Sequence, residues 1–369
     1  MKMLTNNDKI TVPQSVALMI TVILETGLLS LPREAAVYAN SDGWIVVFLG
    51  GGLAFIGSLA IGTLTRKFPE DTFVEYSKRL IGKGPGFILS IVIAIYFTIA
   101  TSVVVRMFAE VINVYMLQKT PREFIIITQM LLTVYLIRHG IEPTARIAEI
   151  ILPMLVIPVV AMYLIATPKA DFSELLPILN TPIKGIALGS LSTVFSFFGI
   201  EILLMVGPYI RSPQRIYWTL FVSILASTMI YVFIVIVVFI TIGVENSKLL
   251  LWPGMTIIRG IMAPGRVFER LDALALALWT IASFTTANGF YLTGVLTFAH
   301  ITKAKEFKMF VTLLFPWIFL CATIPENILE SLEWISVLKT CSLIIGVLVP
   351  FILLIIAVVR KKGGKVFEK

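Results

Sequence analysis

Long apolar runs, each close to the length of a membrane-crossing helix, alternate with short polar connections from Thr11 to Val359. At about 20 residues per crossing, the pattern predicts ten spans, near residues 11–31, 43–64, 86–117, 123–138, 144–167, 187–209, 215–242, 270–299, 307–324 and 333–359. Five precede the connection at 168–186 and five follow it, so the second set runs with opposite topology to the first. The expectation is an all-α integral membrane chain with ten transmembrane helices in a 5+5 inverted repeat. It forms a single polytopic domain, 1–369, with repeats at about 10–167 and 187–360. In such repeats the first helix of each half is broken near the midplane. Spans 1 and 6 carry the interruptions, at Glu25-Thr26-Gly27-Leu28-Leu29-Ser30-Leu31-Pro32 and at Phe197-Phe198-Gly199-Ile200-Glu201. An ionisable residue beside a glycine inside hydrocarbon is costly, and paired in this way the two breaks point to a ligand site.

Composition agrees with the pattern. The chain is 58% hydrophobic and 14% charged, with a mean hydropathy of +0.95; a soluble domain would be roughly 25% charged. The net charge of +8 is scattered over the connections rather than gathered on one face, so nucleic acid is not an expected partner. With the N-terminus cytoplasmic, inner segments hold 19 basic residues and outer loops 9. That bias places both termini inside. Cys321 and Cys341 lie in apolar stretches and read as small hydrophobes rather than as a disulfide or metal site. Residues 66–84 suggest an amphipathic helix on the cytoplasmic side, and 243–269 suggest short helices over the outer mouth or a plain interfacial loop.

Because span 1 enters from the cytoplasm, the half-helix after Gly27 presents N-terminal amides to the centre, which favours an anion. The half-helix ending near Phe198 exposes carbonyls, which favour an ammonium. The two breaks therefore suit a zwitterion, with an amino acid or a small amine as the natural guest. Glu25 stands where a ligand carboxylate would approach; it is protonated, caps its own half-helix, pairs with a ligand amine, or is satisfied internally by span-8 hydroxyls or a nearby base. For Glu201 a capping role is sufficient, with ligand contact the alternative. Tyr96 and Ala100 share a stripe of span 3 at the depth of the breaks, as ligand contacts or core. Thr286 and Phe290 in the polar stretch Ser283–Phe290 line a ligand or pack; hydroxyls there could hold a ligand or a sodium ion, or bond across helices. Arg106 and Glu110 read as an i,i+4 ion pair, His139 and His300 as boundary residues, and Lys339 as a side chain snorkelling outward. No nucleotide loop, zinc spacing or nucleophile–base pair is visible, so no cofactor, metal or catalysis is expected.

Further residues carry a resemblance. Gly27-Leu28-Leu29-Ser30-Leu31-Pro32-Arg33, Asp42-Gly43-Trp44, Tyr96-Phe97 with Arg106 and Ala109-Glu110, Phe198-Gly199-Ile200-Glu201, Leu251-Trp252-Pro253, Phe268-Glu269-Arg270 and Phe284-Thr285-Thr286 occur in order over nearly the whole chain. Together they resemble the B subunit of endospore germinant receptors, the GerAB/GerKB-type spore germination family within the amino acid/polyamine/organocation transporter superfamily. The resemblance implies a leucine-transporter-type fold with discontinuous helices 1 and 6, in the spore inner membrane. It implies nutrient sensing together with A and C subunits, and a ligand pocket at Gly27, Tyr96, Ala100, Phe198, Gly199 and Thr286. The family commonly has Gly-x-Gly in span 1, and here the first glycine is replaced by Glu25, which would repel the carboxylate of an alanine-like ligand when charged. The competing expectation is an autonomous amino acid or polyamine permease.

Overall fold

The computed structural model describes residues 9–25, 27–167, 170–259 and 271–361. Apart from a single backbone bridge, regular structure among them is helical. The first predicted span is two helices, α1 (Val12–Ile23) and α2 (Gly27–Ala39). Thr11 and Gln14 form a capping box at the start of α1, and the helix ends at the interruption read from the sequence. At Asn40, whose φ is +49°, the chain turns back into α3 (Gly43–Lys67). The turn is tight enough that a Cβ on Gly43 would meet the Ala35 backbone at 3.0 Å. Asp42, of the Asp-Gly-Trp element, accepts the amides of Leu179 (2.6 Å) and Thr181 (2.9 Å), fastening the 170–182 connection over this turn.

α4 (Phe73–Ile81) is the amphipathic helix expected between spans 2 and 3. Its apolar residues Phe73, Val74, Tyr76 and Leu80 are buried against protein rather than spread on a bilayer surface. Then follow α5 (Lys83–Tyr115), α6 (Arg122–Ile137), α7 (Ile141–Ile165) and α8 (Ile183–Thr193). Beyond α8 the sixth apolar run becomes a succession of short turns ending in α9 (Leu203–Val206). The parts before and after Phe198-Gly199 are bent by 50°. α10 (Ile216–Ile242), α11 (Val244–Leu249), α12 (Pro253–Arg259), α13 (Leu271–Thr302), α14 (Lys308–Thr323), α15 (Ile328–Leu343) and α16 (Val349–Val359) complete the chain. The Phe268-Glu269-Arg270 element lies outside the described residues.

α1 is central, packed against α7, α10 and α13, while α13 lies along α5 and α3 lies against α8 and α10. Six stretches of the described residues are long and apolar enough to cross a membrane, seven when the bent pair is counted as one. This makes a multi-pass membrane chain, while length and apolarity do not by themselves establish the ten crossings. Large apolar side chains on the outer faces of the bundle, such as Phe124, Leu131 and Tyr135 on α6, are exposed as lipid-facing positions are.

Several charged side chains of the bundle are paired. Arg106 and Glu110 form the expected pair at 2.6 Å, and Arg122 of α6 joins it at 3.3 Å. His300 is more than a boundary residue: its Nδ1 lies 2.8 Å from Glu75, tying α4 to the end of α13. Burial pushes the Glu75 carboxyl up, but the hydrogen bond and charge of His300, with the Thr72 hydroxyl and amide, outweigh burial and hold it below its ordinary range.

Candidate functional site

The two interruptions meet. At one end of the bundle the segment before α1 pairs with the end of the sixth run, the Ile10 amide donating to the Tyr209 carbonyl (2.9 Å) and the Arg211 amide to the Ile10 carbonyl (3.0 Å). Deeper in the bundle, Val22 of α1 rests on Gly199. A Cβ there would lie 2.6 Å from Val22 Cγ1, and the φ of +117° is strained for any side chain, so position 199 requires glycine on two counts. Gly27 is needed for space alone, since a Cβ would fall 2.4 Å from the Tyr231 ring.

Broken helices leave carbonyls without intrahelical partners, and in hydrocarbon each must be satisfied. Tyr231 of α10 serves both breaks: its fully buried hydroxyl donates to the Ile23 carbonyl (2.6 Å) and reaches the Ser196 carbonyl (3.1 Å). Thr285 donates to the Thr21 carbonyl (3.1 Å) and Thr286 to the Val22 carbonyl (3.0 Å), so these α13 hydroxyls cover the end of α1. Of the carbonyls near Phe198 expected to face a ligand ammonium, that of Ser196 is the one Tyr231 reaches.

Glu201 does cap its own turn, accepting the Gly199 amide at 2.9 Å. It also accepts the Tyr96 hydroxyl and the Ser342 hydroxyl (3.1 Å), binding the sixth run to α5 and α15. Ser342 precedes a stretch of π-helix at Ile344–Leu348. Pro350, with no N–H to offer the Gly346 carbonyl, explains the loosened register there.

A narrow cavity of about 50 Å³ opens between the breaks, lined by Glu25, Ala100, Val103, Val104, Phe195, Phe198, Leu338 and Lys339. Glu25 is buried, 3% exposed. Phe198 closes one side, its ring 4.5 Å from Phe290 and 6.3 Å from Tyr96. A wider cavity of about 180 Å³ adjoins it; Met107, Phe195, Ile335 and Lys339 line both, and Trp252 and Glu34 line the wider one. At the junction Lys339 forms an ion pair with Glu34 and lies 5.6 Å from the Phe195 ring centroid. Lys339 therefore faces inward to a carboxylate instead of snorkelling outward.

Of the residues read from the sequence, Glu25, Ala100 and Phe198 share the cavity, with Phe290 packed behind Phe198. Tyr96, Gly199 and Glu201 form the adjoining hydrogen-bonded wall. Gly27 packs on Tyr231, Thr286 bonds to α1, and Thr26 lies outside the described residues. Tyr231, Glu34 and Ser342 were missed, and Lys339 was read as snorkelling outward. The signal for Lys339 was available, since it is a basic residue within an apolar run and such residues face protein or a cavity by default. No cluster of metal-ligating His, Cys, Asp or Glu side chains occurs among the described residues.

Comparison with known proteins fits this arrangement. The chain is 30% identical to the spore germination protein YndE of Bacillus subtilis (strain 168) over 364 residues, covering 98% of this chain and all of that one. Its fold resembles the crystal structure of MhsT in complex with L-phenylalanine, with a TM-score of 0.71 at 14% identity, covering 94% of this chain and 88% of MhsT. It also resembles Mhp1, a nucleobase-cation-symport-1 family transporter in a closed conformation with bromovinylhydantoin bound, with a TM-score of 0.65 at 11% identity, covering 91% and 78%. These are transporter folds of the leucine-transporter type, and neither fold nor family is that of an enzyme. The family model described as spore germination protein matches residues 9–331, and the chain belongs to that family.

Proposed function

We propose that this chain is the nutrient-sensing membrane subunit of a spore germination receptor. It binds a small amino acid or amine-like ligand between the breaks of spans 1 and 6. The observation that carries the reading is the cavity itself: two interrupted helices converge on it, and a buried carboxylate, Glu25, lines it among mostly apolar side chains. Ten crossings in two inverted halves would put the cavity near the midplane, with both termini cytoplasmic, as the bias of basic residues favours. The chain would reside in the inner membrane of the spore. Ligand binding favours one arrangement of the halves by its difference in affinity for the two, and the change passes to A and C subunits. Glu25, Gly27, Tyr96, Ala100, Phe198, Gly199, Glu201, Thr286 and Phe290 form or frame the site, together with Thr26.

The likeness to MhsT and Mhp1 favours a second reading, a permease working by alternating access. Reconstitution of this chain alone in proteoliposomes separates the two. Ligand binding without sustained uptake supports the sensor, whereas saturable uptake by the isolated chain contradicts it. Deleting the chain should abolish germination with a subset of nutrients, and restoring it should recover that subset.

A further inference from the structure

We propose that the basic cluster where α4, α5 and α16 meet is a binding site for the headgroup phosphate of an anionic phospholipid. α4 and α5 join at Gly82, whose φ of +99° turns the chain directly from one helix into the other. Gly86 packs so closely on α4 that a Cβ there would lie 2.6 Å from the Lys78 Cα. The end of α16 is fastened to the same turn, where the Arg360 guanidinium donates to the Leu80 carbonyl at 2.7 Å and satisfies a backbone group at the end of α4. Lys78 stands two residues before Leu80 and Lys83 three after it, and Lys361 follows Arg360. Four basic side chains are thereby gathered around one hydrogen bond.

The carboxylates of α4 and its approach are committed to other bases. Asp71 pairs with Arg79 at 2.5 Å and Glu75 with His300 at 2.8 Å, which leaves Lys78, Lys83, Arg360 and Lys361 without a carboxylate partner among the described residues. The cluster also borders the lipid-facing side of the bundle. Phe87 and Ile88 at the start of α5 and Val358 and Val359 at the end of α16 are exposed, and the Lys78 ammonium lies 5.7 Å from the Phe87 ring centroid. Unpaired positive charge beside exposed apolar side chains matches a molecule that carries a phosphate next to acyl chains, whereas a free anion would use the charge alone. Under the topology that the basic residues favour, this level is the headgroup region of the inner leaflet. α16 packs on α3 and α4 and leaves its other side to lipid, so a phosphate shared by Arg360, Lys78 and Lys83 adds a tie from the last helix to the start of α5.

The test uses the purified full chain, freed of lipid in a non-ionic detergent and titrated with dioleoylphosphatidylglycerol, with dioleoylphosphatidylcholine and with inorganic phosphate. Binding is read by native mass spectrometry and by thermal stabilisation. The anionic lipid should bind about tenfold or more tightly than the zwitterionic one, and inorganic phosphate should neither stabilise the chain nor displace the lipid. Lys83→Gln with Lys361→Gln, both exposed side chains, should weaken the anionic lipid by about tenfold. Lys305→Gln with Lys308→Gln removes the same charge from the connection between α13 and α14 and should leave binding within about twofold. Equal binding of the two lipids, unchanged affinity in the first double variant, or equal weakening by both double variants would each overturn the proposal. Stabilisation by inorganic phosphate to the same extent as by the lipid would overturn it too, by making the cluster a site for free anions. The lipid comparison on the native chain stands even if a variant does not fold. The inference is independent of the nutrient site, so its failure leaves the receptor reading untouched.

Discussion

Replacing Tyr231 by Phe removes one oxygen from the place where the two breaks are held together. The ring should stay, since it packs edge-on to Phe197 at 5.7 Å and against Gly27, so the substitution isolates the hydroxyl. A buried carbonyl, that of Ile23, and a half-buried one, that of Ser196, lose a partner. Ile23 keeps a second donor, the Glu25 amide at 2.9 Å, so its loss falls at the low end; Ser196 loses a weaker contact of 3.1 Å. An unsatisfied buried carbonyl costs about 1–3 kcal/mol, and bonds between membrane helices measure toward the lower part of that range. A total of about 2 kcal/mol corresponds to a fall in Tm on the order of 2–4 °C. Thermal unfolding of the purified chain in one detergent, native beside Tyr231→Phe, reads this directly. Because both breaks border the cavity, ligand affinity should fall as well. An unchanged Tm with unchanged affinity would refute the idea that Tyr231 couples the two breaks.

Other substitutions test neighbouring parts of the account. Gly199→Ala should sharply reduce folded yield, judged by size-exclusion chromatography; adding Val22→Ala should restore only part, because the clash is relieved while the φ of +117° remains. Glu110→Gln should destabilise by about 3–5 kcal/mol by leaving Arg106 buried beside Arg122, and Arg106→Leu with Glu110→Leu should recover most of the loss in denaturant unfolding. Glu75 has a folded pKa below its ordinary 4.5, so its contribution is present above that value and is lost as pH falls through the lower folded value. Glu75→Gln should flatten that acid limb when stability is followed against pH.

Much of the fold was legible because membrane solvent imposes a simple rule on the sequence. Each predicted apolar run contains a helix or a broken pair, and both glycine interruptions fall where the structure breaks. Local chemistry was equally readable. Glu201 caps its turn, and Arg106 and Glu110 pair as an i,i+4 spacing directs. What escaped was the set of partners brought from far along the chain. Tyr231 is 208 residues from Ile23, and Lys339 is 305 from Glu34, so no local periodicity encodes either contact. For Thr286 the sequence leaves ligand lining or bonding across helices open, and its hydroxyl bonds to the end of α1. Hydroxyls from α10 and α13 cover the carbonyls that end α1, a set of long-range partners that local pattern did not announce.

The central claim is that the cavity between the breaks decides which nutrient is sensed. The most direct measurement is the nutrient dose–response of germination in spores carrying the native chain, Glu25→Gly or Phe198→Ala as their sole copy, with chain abundance equalised by immunoblot. The account predicts that Glu25→Gly changes which nutrients act and that Phe198→Ala, by enlarging the cavity, raises the concentration of a small nutrient required. Identical dose–response curves for all three chains would contradict it.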